Sequence, residues 1–226
     1  MYLLVSVAFL LPCIVRANPP HNWHSHTEVQ RKVTDLYKKM HSYQADFQIQ
    51  TPKRTMTGKA SYLDEGTVRF DFSNPAGDML LSDGKVLWIV ISRMGIVGRQ
   101  DLTIDQKDEN GNRIFAVMPG KGIDRLFKKY HYRFDGLDQP RKVDGTDYFV
   151  LFLEQKEKIG GYSQMTLYIN AKTYLIEKAE AVDSLDGKTT IQFRNIRPDA
   201  PVDGSLFQYS PPDTKRVVYN PLVSDE

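Results

Sequence analysis

The sequence contains a single cysteine, Cys13, in 226 residues. It falls inside an apolar run, Leu3–Val15, that is too short to span a bilayer and ends at Val15-Arg16-Ala17 in the manner of a signal-peptidase site. Cleavage after Ala17 would leave a mature chain, 18–226, without a thiol. Disulfides, a thiol nucleophile and a cysteine-based zinc site are then excluded. The start, Met1-Tyr2, carries no Lys or Arg. Leu10-Leu11-Pro12-Cys13 is a poor lipobox, since Pro12 stands where a small residue is expected. Soluble export to the periplasm is the expectation, with an anchor on Cys13 as the alternative.

Charge of one sign is also lacking. The formal net charge is +2, too small to suggest nucleic acid or an anionic membrane surface from composition alone. No basic run is interleaved with aromatics, so nucleic acid is not an expected partner. No glycine- or serine-rich linker divides the chain, and 18–226 reads as one domain.

Catalytic patterns are missing too. Gly120-Lys121 lacks the earlier glycine of a P-loop, because Phe115 occupies that place. Asp108, Asn110 and Gly111 suggest a calcium loop, but Gln106 begins it and Val117 stands where a bidentate Glu is required. Ser163 is followed by Gln164-Met165, so no nucleophile elbow forms. His41 and His131 stand alone. His21, His24 and His26 cluster in a polar stretch and read as a solvated tether rather than a metal site. The expectation is a protein that is not an enzyme, with no cofactor and no metal.

What the sequence does hold is apolar surface. Hydrophobic residues make up 41% of the chain and aromatics 11%, enough for a sizeable core. Thr27 opens a helix, with Gln30 completing a capping box. Val29, Val33, Leu36, Tyr37 and Met40 follow at helical spacing on one stripe. That stripe either packs as core or covers a cavity and moves.

From Tyr43 the period becomes two. Tyr43, Ala45, Phe47 and Ile49 alternate with polar residues, as do Met56 to Tyr62 and Val68, Phe70 and Phe72. Val86 to Ile91 is apolar on both faces, so each side needs a cover. Ser92 to Lys129 loses the period. Met94 to Gly98 reads as a loop or short strand, and Arg113 to Met118 and Ile123 to Lys129 as short helices. Strands resume at Tyr130 to Phe134, Tyr148 to Leu153, Gln164 to Asn170, Leu175 to Val182 and Thr189 to Asn195, completing a second antiparallel meander.

Asp186-Gly187 supplies a hairpin turn. After the strand it opens come Phe207 and Tyr209, on one side of an extended segment, and then Pro211-Pro212, which should forbid further ladder pairing. With Val217 this ending resembles that of the LolA-type periplasmic lipoprotein carriers, a D-G hairpin followed by F-x-F-x-P-P and a terminal valine. A second match is Asn74-Pro75 followed by Leu80-Leu81-Ser82-Asp83-Gly84-Lys85-Val86-Leu87-Trp88. A third is the family's "adF" element at Ala45-Asp46-Phe47.

The resemblance implies an α+β fold: a curved antiparallel sheet forming an incomplete β-barrel, with short helices covering its concave face. It also implies a periplasmic carrier, or chaperone, that takes lipoproteins from an inner-membrane exporter to an outer-membrane acceptor. The candidate acyl-chain cavity comprises Phe47, Phe70, Phe72, Leu87, Ile89, Ile91, Tyr132, Leu151 and Leu167. The candidate lid comprises Val33, Leu36, Met40, Ile114, Phe115, Val117 and Met118, the last four being equally readable as ordinary core helix. Lipid-modified proteins are the expected partners of a monomer. Well-studied members hold the lid with an arginine before the third strand; Glu65 stands there in this chain, so the resemblance carries no arginine lock. The alternatives are a lipid- or lipoprotein-sensing module of the same fold, a membrane-anchored acceptor, and, least supported, a secreted hydrolase.

Overall fold

The computed structural model describes residues 24–64, 67–102, 122–157, 161–183 and 185–220. Its elements are α1 (His26–Lys39), β1 (Ser42–Gln50), β2 (Thr55–Leu63), β3 (Thr67–Asn74), β4 (Met79–Asp83), β5 (Val86–Ile91) and β6 (Ile96–Asp101). There follow α2 (Gly122–Lys129), β7 (Tyr130–Phe134), β8 (Arg141–Val143), β9 (Thr146–Gln155), β10 (Tyr162–Asn170), β11 (Ile176–Asp183), β12 (Lys188–Pro198) and β13 (Arg216–Tyr219).

The strands form one sheet in the order β13-β6-β5-β4-β3-β2-β1-β12-β11-β10-β9-β7, with β8 also paired to β9. The two expected meanders are therefore halves of a single sheet, stitched where β1 pairs with β12. Its end strands, β13 and β7, do not meet along this order, so the barrel is incomplete as expected. Among the described residues every strand pairing is antiparallel except one: β13 runs parallel to β6, Val217 opposite Val97. This corrects the expectation that Pro211-Pro212 ends all pairing. The prolines bar only their own positions, and the chain rejoins the sheet at Arg216.

The helix α1 begins at its expected place but without the capping box. Its N-cap is Ser25, which makes no side-chain cap bond. Gln30 instead donates to the Thr34 hydroxyl, 2.8 Å away. Its stripe does face inward. Val29 and Val33 are 2% and 0% exposed and join Phe127 of α2 with Leu151, Leu153, Leu167 and Ile169 in the main core cluster. Burying each such side chain contributes roughly 1.5–3 kcal/mol, and this is what fixes the helices on the β7–β10 half of the sheet.

A second cluster lies across β4–β6, where Leu81 and Val97 are 0% exposed beside Met79 and Val90. It is covered by the segment after β12. Asp203 caps a 3₁₀ turn, Gly204–Phe207, Phe207 is buried, and Tyr209 packs edge-on against Trp88 at 5.4 Å. Phe207 thus ends a turn and does not lie in the extended segment expected for it. Arg69 fastens the turn, donating to the Leu206 carbonyl at 2.7 Å while gripping the Asp71 carboxylate through Nε and Nη2. This is the second cover that a strand apolar on both faces requires.

Candidate functional site

Strand register decides which side chains share a face, because period-two alternation puts directly opposed residues on the same side. Phe47 opposes Gly58, which opposes Phe72; Ala60 opposes Phe70, Phe70 opposes Leu80, and Leu80 opposes Ile89. In the other direction Phe47 opposes Phe193, two residues on from Ile191. The row continues through Ala179 and Leu167 to Leu151, while Tyr132 opposes Leu153. By this register Phe47, Phe70, Phe72, Leu87, Ile89, Ile91, Tyr132, Leu151 and Leu167 all stand on one face, the face that α1 covers.

The structure divides them into two groups. Leu151 and Leu167 are 0% and 2% exposed in the main core beneath α1, with Tyr132 packed against it. The cavity between Tyr37, Met40, Tyr43, Leu175, Ile176 and Phe193 on this side has a volume of about 20 Å³. Ligand sites commonly run to about 300–1,000 Å³, so this half is filled. Of the lid candidates, Val33 and Met40 are buried and Leu36 is half-buried on α1. Ile114, Phe115, Val117 and Met118 lie outside the described residues, as does Glu65.

The β1–β6 half differs. Phe47 packs edge-on against both Phe70 and Phe72, each at 5.1 Å. Burial then grades along the strands. On β1, Ala45 and Phe47 are buried and Ile49 half-buried; on β2, Tyr62 and Ala60 are buried and Met56 half-buried. On β3, Val68 is buried, Phe70 and Phe72 half-buried; on β5, Leu87 is buried, Ile89 and Ile91 half-buried. Because β2 runs opposite to β1, β3 and β5, every half-buried end lies at the same edge of the sheet. That edge carries turns 51–54, 75–78 and 92–95. The apolar face is sealed at one end and opens at the other.

Across β12, β1, β2 and β3 the opposite face is polar, beside the second cluster on β4–β6. A depression of about 620 Å³ there is lined by Asp46, Gln48, Lys59, Asp71, Gln192 and Arg194, and also by Phe47, Gly58 and Phe72. Its carboxylates, amides and cations hold water that an alkyl chain would have to displace at a cost. On this face Asp46 accepts from Asn195, the residue whose positive φ of 51° marks the β1–β12 bulge, and Arg197 donates to Gln44. Neither the bulge nor the depression was visible in the sequence.

Of the side chains assigned to a solvated tether, His24 is half-buried and His26 is exposed, and both make ring contacts. His24 meets Phe149 edge-on at 4.8 Å and His26 meets Tyr132 at 5.5 Å, so the approach to α1 lies on the aromatic end of the core. No group of three or more His, Cys, Asp or Glu side chains that could hold a metal ion occurs among the described residues. Desolvation pushes the Tyr37 phenol up to about 12, its oxygen accepting from the Ile176 amide. Tyr43, next to the small cavity, is pushed up by burial as well.

Comparison with known proteins yields one family. The model described as outer membrane lipoprotein carrier protein LolA matches residues 38–210. No curated protein sequence matches. Among solved structures, an uncharacterized conserved protein from Thermus thermophilus is similar with a TM-score of 0.57 at 13% identity, over 85% of this chain and 98% of that one. The MucA/MucB complex of Pseudomonas aeruginosa is similar with a TM-score of 0.50 at 16% identity, over 85% of this chain and 62% of that one. A LolA superfamily protein from Nitrosomonas europaea reaches a TM-score of 0.40 at 14% identity, over 82% of this chain and 98% of that one.

Proposed function

The chain belongs to the LolA outer membrane lipoprotein carrier family, and we propose that it is a periplasmic carrier whose cargo is the acyl chains of lipid-modified proteins. The observation that carries this reading is the apolar face of β1–β6, half-buried at one edge of the sheet and sealed at the other. Phe70, Phe72, Ile89 and Ile91 line the accessible part of the binding surface, and the buried Phe47 and Leu87 back it. Leu151, Leu167 and Tyr132 form the fixed core beneath α1 and keep the sheet curved around it.

Each methylene moved from water onto such a surface contributes about 0.8 kcal/mol. Water displaced from Phe72 and Ile91 at the same time adds to that gain. A half-covered surface also keeps net binding moderate, which handover to an acceptor at the outer membrane requires.

Native mass spectrometry of the purified chain, with and without a soluble fatty-acid probe, tests the reading. The expected result is one or more bound acyl chains, lost on Leu36→Glu and on Ile89→Glu. A chain that never takes up the probe contradicts it. Depletion in the native host separates transport from sensing, because only loss of a carrier strands lipoproteins at the inner membrane.

A further inference from the structure

Across β3, β4 and β5 the apolar face passes from open to shut between one row of opposed residues and the next. Nearest the open edge stand Phe72 and Ile91, both half-buried. The next row inward holds Phe70, Leu80 and Ile89, which oppose one another in that order and are half-buried too. One step further in, Val68 opposes Ser82, Ser82 opposes Leu87, and Leu87 opposes Gln100. All four are buried, Ser82 and Gln100 at 0% and 1% exposed. Tyr62 continues this row onto β2, opposite Val68 and stacked on Tyr43 with ring centroids 5.4 Å apart.

This inner row also differs in chemistry. Ser82 and Gln100 bring polar groups onto the apolar face, one to each side of Leu87. The Ser82 hydroxyl accepts from the Gly84 amide at 3.1 Å. The Gln100 side chain donates to the Asp101 carbonyl and to the Asn220 side chain, at 3.3 and 3.4 Å, so the residue after β13 braces it. An alkyl chain pushed in here would part these groups, and a buried polar group left without its partner costs more than one methylene gains. A groove floored by Phe70, Phe72, Leu80, Ile89 and Ile91 therefore ends at a wall. From Leu87 to Ile91 it runs about 13 Å along the strand.

We propose that this row is the end stop of the acyl groove, and that it makes the protein selective for the length of the chain it holds. The proposal rests on the acyl-binding reading of the same face. A chain enters methyl end first, because its polar end stays in water at the open edge. Each methylene adds affinity until the methyl group reaches Val68 and Leu87. Any further methylenes are left in water outside the mouth and add nothing.

Fluorescence displacement with octanoic, decanoic, dodecanoic, myristic and palmitic acids tests this on the full chain. Wild-type affinity should rise about fourfold per methylene and level off once the chain is as long as the groove. Val68→Ala and Leu87→Ala each set the stop back and should carry the plateau to longer chains. Ile91→Ala, at the mouth, should weaken binding but leave the plateau at the same length. Val97→Ala truncates a side chain 0% exposed on the opposite face, and should lower stability without moving the plateau.

A wild-type affinity that climbs evenly through palmitic acid would overturn the stop and leave the carrier reading standing. A plateau that stays at one length in folded Val68→Ala and Leu87→Ala, or that moves as far in Val97→Ala, would overturn the stop as well. Binding of none of the acids would overturn the carrier reading, and the stop with it.

Discussion

Phe47 packs directly over Gly58, its partner across the β1–β2 pair. A Cβ at position 58 would come 2.8 Å from two atoms of the Phe47 ring and collide with the backbone carbonyl of Asp71. The missing side chain is what lets the ring lie low enough to meet Phe70 and Phe72.

Gly58→Ala should therefore overpack the face where acyl chains are proposed to bind. Neither the ring nor the carbonyl can give cheaply, and such insertions cost about 1–3 kcal/mol. For a chain of this size that is a drop in Tm of about 2–4 °C per kcal/mol, measurable by calorimetry. Affinity for an acyl probe should fall with it, because Phe47 is displaced.

The two halves of the apolar face should respond differently to truncation. Leu153→Ala, at a position 0% exposed beneath α1, should cost about 2–5 kcal/mol and leave the probe affinity of the folded fraction unchanged. Phe72→Ala removes a half-buried ring and should cost less stability but weaken the probe more. Denaturant unfolding and probe titration on the same samples check this crossing pattern.

Alkaline pH should destabilise the chain through Tyr37. A phenol whose folded value is near 12 against about 10 when unfolded holds its proton more tightly in the folded state. The stability it lends is whole below pH 10 and is lost as pH rises from 10 towards 12. Tyr37→Phe should flatten that decline. At neutral pH it should cost about 1–3 kcal/mol, since the Ile176 amide loses its acceptor. Thermal unfolding across pH 8 to about 11 checks both.

Arg69 should hold the C-terminal cover. Arg69→Ala removes the bond to the Leu206 carbonyl and the grip on Asp71, and hydrogen bonds to charged groups contribute about 1.5–3 kcal/mol. Amide exchange should quicken at Ser205 to Tyr209 while the core around Leu151 stays protected. Trp88 fluorescence should shift, because Tyr209 no longer stays against it.

Much of this was legible because period-two alternation is local. Phe47, Phe70, Phe72, Ile89 and Leu151 fall on one face by parity within their own strands, and hairpin turns carry that parity from strand to strand. The parallel β6–β13 pair was not legible. Its partners are far apart in sequence, and Pro211-Pro212 looked like a terminus. Nor could alternation reveal that Leu151 and Leu167 sit under α1 whereas Phe72 and Ile91 do not, because that depends on where a crossing helix comes to rest. The capping box failed for a related reason: Gln30 found a nearer partner in Thr34, one turn along the same helix.

The most direct test of acyl binding on the β1–β6 face is fluorescence titration with a soluble acyl probe. It compares Phe72→Glu and Ile89→Glu with Gln192→Glu, which places the same charge on the opposite, polar face. The account predicts at least a tenfold loss of affinity for the first two and none for the third. Equal affinities in all three, with the chain folded, would contradict it.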